Sequence, residues 1–207
     1  MGRKATNFES MKIKYIKAAE ELFREKGYDD ISISEIARKM DMSHGAFFYY
    51  FKSKEEVMQA VIMVSLKESE KYLKALASDG SMSAKEKMQL ILTITVGALK
   101  EEQPFIDFVR SPANTGLYRE YLMRSREITI PPVTDIVKQG ISEGSFRVEY
   151  PEETVRYLIY VFENLTDAIY PLKNDQECHR RLRALEIVVS KFLGVDEGEF
   201  TLTEQVS

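Results

Sequence analysis

His44, Gly45, Phe48 and Tyr49 share one face of a short helical stretch, and that face holds two aromatic rings, an imidazole and a bare backbone but no carboxylate or ammonium group. A merely solvated surface would carry more charge. Such a face suits a helix laid in a major groove. Gly45 permits close backbone approach, His44 and Tyr49 offer hydrogen bonds to base edges, and Ala46 can touch a thymine methyl. Lys52 and Lys54 follow at once, where they and the start of the next helix can meet phosphate oxygens, and Ser32 is similarly placed at the start of an earlier one. The plainer alternative is a small three-helix corner with its rings simply packed, which suits Phe47 and Phe51, four apart on the other face. A metal role for His44 is disfavoured because no second ligand stands three or four residues further on.

No other chemistry stands out. The chain has no HExxH, no GxSxG and no glycine-rich phosphate loop, so no catalytic residues, cofactor or metal are expected. Cys178 is the lone cysteine, which excludes a disulfide framework and a cysteine-based zinc site. Its neighbour His179 precedes Arg180 and Arg181 on a helical stretch that reads as exposed.

These residues need helices to hold them, and the sequence reads as all-α with about nine. Ile16, Ala19, Leu22 and Phe23 form one stripe of a first helix over 9–26, stopped by Gly27. Ser32 with Glu35 makes a capping box for a second over 32–40, with Ile31 and Ile36 as its hydrophobic staple. Ser43 caps a third over 44–51, and the three-residue turn between them gives the helix-turn-helix layout. Ser53 with Glu56, and Ser83 with Glu86, open long helices reaching about 77 and 102. Pro104 starts a short sixth helix and Pro112 closes it. A pattern over 115–143 is expected to kink or break at Pro131 and Pro132. The last two helices span 151–170 and 175–193, and the tail from 194 is expected to fray. The segment SFRVEY at 145–150 is the best strand candidate.

The stretch AAEELFREKGYDDISISEIARKMDMSHGAFFYYFKSKEEV, residues 18–57, resembles the DNA-binding segment of the TetR (tetracycline-repressor-like) family of bacterial transcriptional regulators. The resemblance implies a helix-turn-helix domain over 9–68 and a ligand-binding and dimerisation domain over 69–200. It implies a cytoplasmic homodimer on a double-stranded DNA operator. His44, Gly45, Ala46 and Tyr49 would face bases, and Ser32, Tyr50 and Lys54 would hold phosphates. The sequence departs from the family at Phe48, where tyrosine is typical, and the phosphate contact of that hydroxyl is either lost or taken over by Tyr49. A repressor is the leading expectation. An activator or another DNA-bound factor could carry the same head, and an all-α enzyme or a helical adaptor would leave the Gly45/Tyr49 face unexplained.

Two heptad-like stripes mark the last two helices. Val155, Leu158, Phe162 and Leu165 lie on one, and Leu182, Leu185, Val189 and Phe192 on the other. They are candidates for an isologous dimer bundle, the alternative being that one chain buries both faces. A second apolar face carries Tyr157 and Val161 on the one helix and Val188 on the other. Phe105, Phe108, Arg110, Tyr118, Tyr121, Tyr157, Tyr160 and Asn164 could line a pocket for a small, largely hydrophobic effector, or be ordinary core. Such an effector would act by changing the spacing of two recognition helices, which must lie about 34–36 Å apart on DNA.

The net charge of −4 over 207 residues looks unsuited to a phosphate backbone. Residues 1–54, however, carry 11 Lys and Arg against 8 Asp and Glu, whereas 55–207 carry 18 against 25. The modest positive charge is therefore local to the head. No apolar run approaches the ~20 residues of a membrane span, and the first residues lack the apolar core of a secretory signal.

Overall fold

The structure, a computed structural model, describes residues 2–101, 108, 110–169 and 175–202, and is all-α with no strand among them. The helices are α1 (Gly2–Lys26), α2 (Ile33–Lys39), α3 (His44–Phe47), α4 (Lys54–Ser78), α5 (Ala84–Glu101), α6 (Thr115–Ser142), α7 (Pro151–Ile169) and α8 (Asp175–Leu193), with a 3-10 turn at Pro112–Asn114 before α6. The chain divides into two compact units, 1–68 with 102–122, and 69–101 with 123–207. Residues 102–122 cluster with the first unit and not with the remainder of 69–207. Within that first unit the Phe108 ring lies 4.0 Å from the Tyr28 ring. Most of the sixth expected helix lies outside the described residues.

The first unit is built around aromatic rings. Tyr15, Ile31, Ile36, Phe47 and Phe51 are buried almost completely. Phe47 sits 5.9 Å from Tyr15 and 5.8 Å from Phe51. Burial of that much apolar surface, about 1.5–3 kcal/mol for each large side chain, fixes α2 and α3 against α1.

The second unit has a continuous core from α5, α6, α7 and α8, and three expectations are corrected there. First, Val155, Leu158, Leu182, Leu185 and Val189 belong to this core, and Phe162 and Phe192 pack against it. The heptad stripe is the chain's own interior and not a free dimer face; the side chain of Leu165 lies outside the described residues. Secondly, α6 runs unbroken through Pro131 and Pro132. The prolines leave the carbonyls of Glu127 and Ile128 without their usual amide donors, but Ile130, Pro132, Val133, Ile136 and Val137 are all buried, and that packing outweighs the local penalty. Thirdly, the segment after Gly194 is not frayed as far as 202. Phe200 and Leu202 are fully buried, Thr201 exchanges two backbone hydrogen bonds with the Gln89 amide at 3.0 and 2.8 Å, and the Leu202 amide donates to buried Glu186 at 2.6 Å. The candidate strand at 145–150 is irregular, with bends at 145, 149 and 150, and forms no sheet among the described residues; its Arg147 amide donates to Leu193 O at 2.9 Å.

Candidate nucleic-acid interface

The turn between α2 and α3 is set by local chemistry. Ser32 accepts from the Glu35 amide at 3.2 Å while the Glu35 carboxylate accepts from the Ser32 amide at 2.9 Å, the expected capping box. These contacts hold the Glu35 carboxyl below its ordinary range. At the other end the Met42 amide donates to Ala37 O and the Asp41 amide to Arg38 O, both at 3.0 Å. This is a Schellman close, with Asp41 at φ 53° in the position usually given to glycine. Ser43 then caps α3, its hydroxyl accepting from the Ala46 amide at 3.2 Å.

The α-helical part of the recognition element is shorter than the expected 44–51. It ends at Phe47, and the amides of Tyr49 and Tyr50 donate three residues back, to Ala46 O at 3.3 Å and Phe47 O at 2.9 Å, a 3-10-like tightening. The outward face forms nonetheless. His44, Gly45 and Phe48 are exposed, Ala46 is half-buried, and Tyr49 is 72% exposed. A Cβ at Gly45 would meet nothing within 4 Å, so packing of the free chain does not require glycine there. Tyr50 is half-buried, stacked on Phe8 at 5.0 Å and tilted against Tyr15 at 5.2 Å. Phe8 also takes the edge of Tyr49 at 5.4 Å.

Phe8 is therefore a positioning residue that the sequence reading passed over, because the first helix was expected to start at 9. Its spacing of seven from Tyr15 is the signal that would have found it. Ser34 was also missed: its hydroxyl lies 2.8 Å from His44 Nδ1.

The expected phosphate-binding cations divide. Lys52 is exposed. Lys54 is not available: its ammonium donates to Tyr28 O at 2.8 Å and Ile31 O at 2.9 Å, and lies 4.1 Å from the centre of the Tyr28 ring. It closes the loop after α1, donating to the carbonyls of Tyr28, Asp29 and Ile31. Ser32 is exposed, but its hydroxyl proton is committed to Glu35 Oε2 at 3.0 Å. At the start of α4 only half of the second capping box forms. Ser53 accepts from the Glu56 amide at 3.2 Å, while the Glu56 carboxylate reaches one residue further back, to the Lys52 amide at 2.7 Å.

The expected effector residues fall in both units. In the first, Phe108 is buried, Arg110 donates to the Tyr118 hydroxyl at 3.4 Å, and Tyr121 is half-buried; Phe105 lies outside the described residues. In the second, Tyr157 and Tyr160 are 58% and 45% exposed, and Asn164 is exposed. They stand on the surface of α7, so they do not line an interior. Beside them Arg126 forms a two-pronged ion pair with Glu163, at 2.7 and 2.6 Å, under the Tyr160 ring. Among the described residues, each unit carries an open cleft. The first, of about 590 Å³, includes Tyr28, Glu55 and Phe108. The second, of about 360 Å³, includes Ile130, Pro131 and Thr134.

A family model for bacterial regulatory proteins of the tetR family matches residues 16–61. Over 54 residues the chain is 41% identical to the transposon Tn10 TetC protein of Escherichia coli, a match to 26% of this chain and 27% of that one. The similarity thus spans about a quarter of that relative's length. Among solved structures, a TetR/AcrR-family regulator from Thermobifida fusca has a TM-score of 0.59 at 26% identity, covering 76% of this chain and 85% of its own. RolR, solved with resorcinol, has a TM-score of 0.61 at 21% identity, covering 98% and 96%. The head motif, its geometry and these likenesses agree: residues 16–61 form a head of the tetR family of bacterial regulatory proteins, and the chain has the fold of solved members of that family.

Proposed function

We propose that the protein is a sequence-specific DNA-binding transcriptional regulator, a cytoplasmic homodimeric repressor released from its operator by a small, largely hydrophobic effector. The observation that carries the DNA-binding part is the face of His44, Gly45, Ala46 and Tyr49. Its outward groups are held open by Phe47 and Phe51, buried directly behind them. A protein that used this turn only for packing would not leave a tyrosine 72% exposed beside a half-exposed Phe48. Lys52 and the Tyr50 edge supply backbone contacts, which position the head without reading sequence.

For the dimer, the face left over once the heptad stripe is buried is that of Tyr157 and Tyr160 on α7, and this is the surface we assign to the partner. A closed two-fold pairing of it would set the two heads at a fixed separation. The effector would act by favouring a different separation. The aromatic character of the effector rests on Phe108, Tyr118 and Tyr121 and on the resorcinol bound by RolR, a protein of the same fold.

A gel-shift titration against the DNA upstream of its own gene tests the reading. Salt-sensitive, sequence-dependent binding is expected. Failure to bind that DNA and any duplex selected from a random pool would refute it.

A further inference from the structure

Ser34 and His44 are ten residues apart and on different helices, yet Ser34 Oγ and His44 Nδ1 are 2.8 Å apart. Both side chains are exposed, and among the described residues neither has another hydrogen-bond partner. On its flank the imidazole is 5.3 Å from the Phe48 ring. The ring is thus held at one nitrogen by α2 and flanked by an aromatic side chain. The two ring nitrogens diverge in the imidazole plane, so with Nδ1 turned back onto Ser34, Nε2 is directed away from α2.

We propose that Ser34 is a positioning residue that fixes the orientation and tautomer of His44, so that His44 Nε2–H reads an acceptor on a guanine in the major groove. This rests on the DNA-binding reading above. A serine hydroxyl can donate or accept, and here it is taken as the donor to Nδ1: the neutral ring then keeps its proton on Nε2, and the imidazolium carries one there in either case. The atom presented outward is then a donor in both charge states. Guanine offers two adjacent acceptors, O6 and N7. Adenine pairs its N7 with a competing amino donor, and cytosine presents a donor alone. A donor at Nε2 therefore favours a G·C pair, whereas an unrestrained histidine, free to exchange tautomers, would discriminate less. Ser34 contacts no base in this scheme and acts through His44.

The test uses the full-length protein and an operator selected from randomised duplexes, with competition binding at each base pair. Wild type is expected to prefer guanine at one position of each half-site by about tenfold, near the lower end for a specific base contact. His44→Ala should abolish that preference. Ser34→Ala should weaken it several-fold with non-specific affinity unchanged, and Ser34→Thr, which keeps the hydroxyl, should restore it. Nitrogen-15 spectra of the imidazole should show the Nε2–H tautomer in wild type and a mixture in Ser34→Ala. Thermal melting of the variants controls for folding. Full base preference in Ser34→Ala, equal loss at every position, or an Nδ1–H tautomer in wild type would overturn the proposal. Absence of any sequence preference in wild type would instead refute the DNA-binding reading on which it depends.

Discussion

Gly140, buried in α6, is a site where two opposed effects can be weighed. Replacing a helical glycine by alanine ordinarily stabilises by about 1 kcal/mol. Here the added methyl would overlap three carbons of the Phe146 ring. That ring cannot simply swing aside. The amides of Ser145 and Phe146 both donate to Gly140 O, at 2.9 and 3.0 Å, and Phe146 is 2% exposed with Phe200 beyond it at 6.4 Å. Overpacking typically costs about 1–3 kcal/mol, and an overlap this deep belongs at the upper end. Gly140→Ala should therefore destabilise by about 2 kcal/mol net, the clash outweighing the helix propensity. Phe146→Ala alone should cost about 3–5 kcal/mol through its cavity. The pair should cost clearly less than the sum, because the new methyl enters the space vacated by the ring. Urea unfolding monitored by circular dichroism reads all three variants. A Gly140→Ala protein more stable than wild type, or strict additivity in the double variant, would refute the packing described for the α6–Phe146 corner.

Four further outcomes follow from the same coordinates. Lys54→Ala should destabilise the head by about 1–3 kcal/mol, because the carbonyls it satisfies lose a charged donor, read as a lower melting temperature. Asp41→Gly should stabilise by up to about 1 kcal/mol, since glycine adopts the left-handed backbone at φ 53° without a side-chain penalty, checked by the same melt. The carboxyls of Glu35, Glu86 and Glu143 are held low chiefly by hydrogen bonds from Ser32, Ser83 and the Ala84 amide, respectively. Depressed acids contribute stability that is complete above the unfolded carboxylate range near about 4.3 and is lost as pH falls through the folded values. The melting temperature should therefore have no slope from these groups at neutral pH and should fall below about pH 4, less steeply in Glu86→Gln. Tyr157→Glu should convert dimer to monomer in analytical ultracentrifugation while leaving the helical content unchanged; an intact dimer would remove α7's outer face as the partner surface.

The features legible in the sequence were those decided within a few residues. The Ser32–Glu35 and Ser83–Glu86 boxes, the Ser43 cap and the span of α8 all depend on neighbours along one turn of helix, which spacing records. Features settled by distant partners were not legible. Nothing near Lys54 in the sequence indicates that the carbonyls of residues 28 and 31 would take its protons. The Ser34–His44 contact crosses between helices in the same way. Pro131 and Pro132 carry a strong local signal against helix, and the buried residues around them override it. The stripe of Val155 to Val189 was seen correctly as apolar. Periodicity cannot say whose surface covers it, and here the chain's own α5 and α6 share that core with it.

Phe200 and Leu202 make the order of synthesis matter. The second unit draws two fully buried side chains from beyond its last helix, so its core stays open at one side until those residues have left the ribosome. Until then Glu186 lacks the Leu202 amide and Gln89 lacks the Thr201 backbone. Until Phe200 and Leu202 dock, the helices that share this core leave an apolar seam uncovered. During that interval the seam is exposed to chaperones and to aggregation with other unfinished chains.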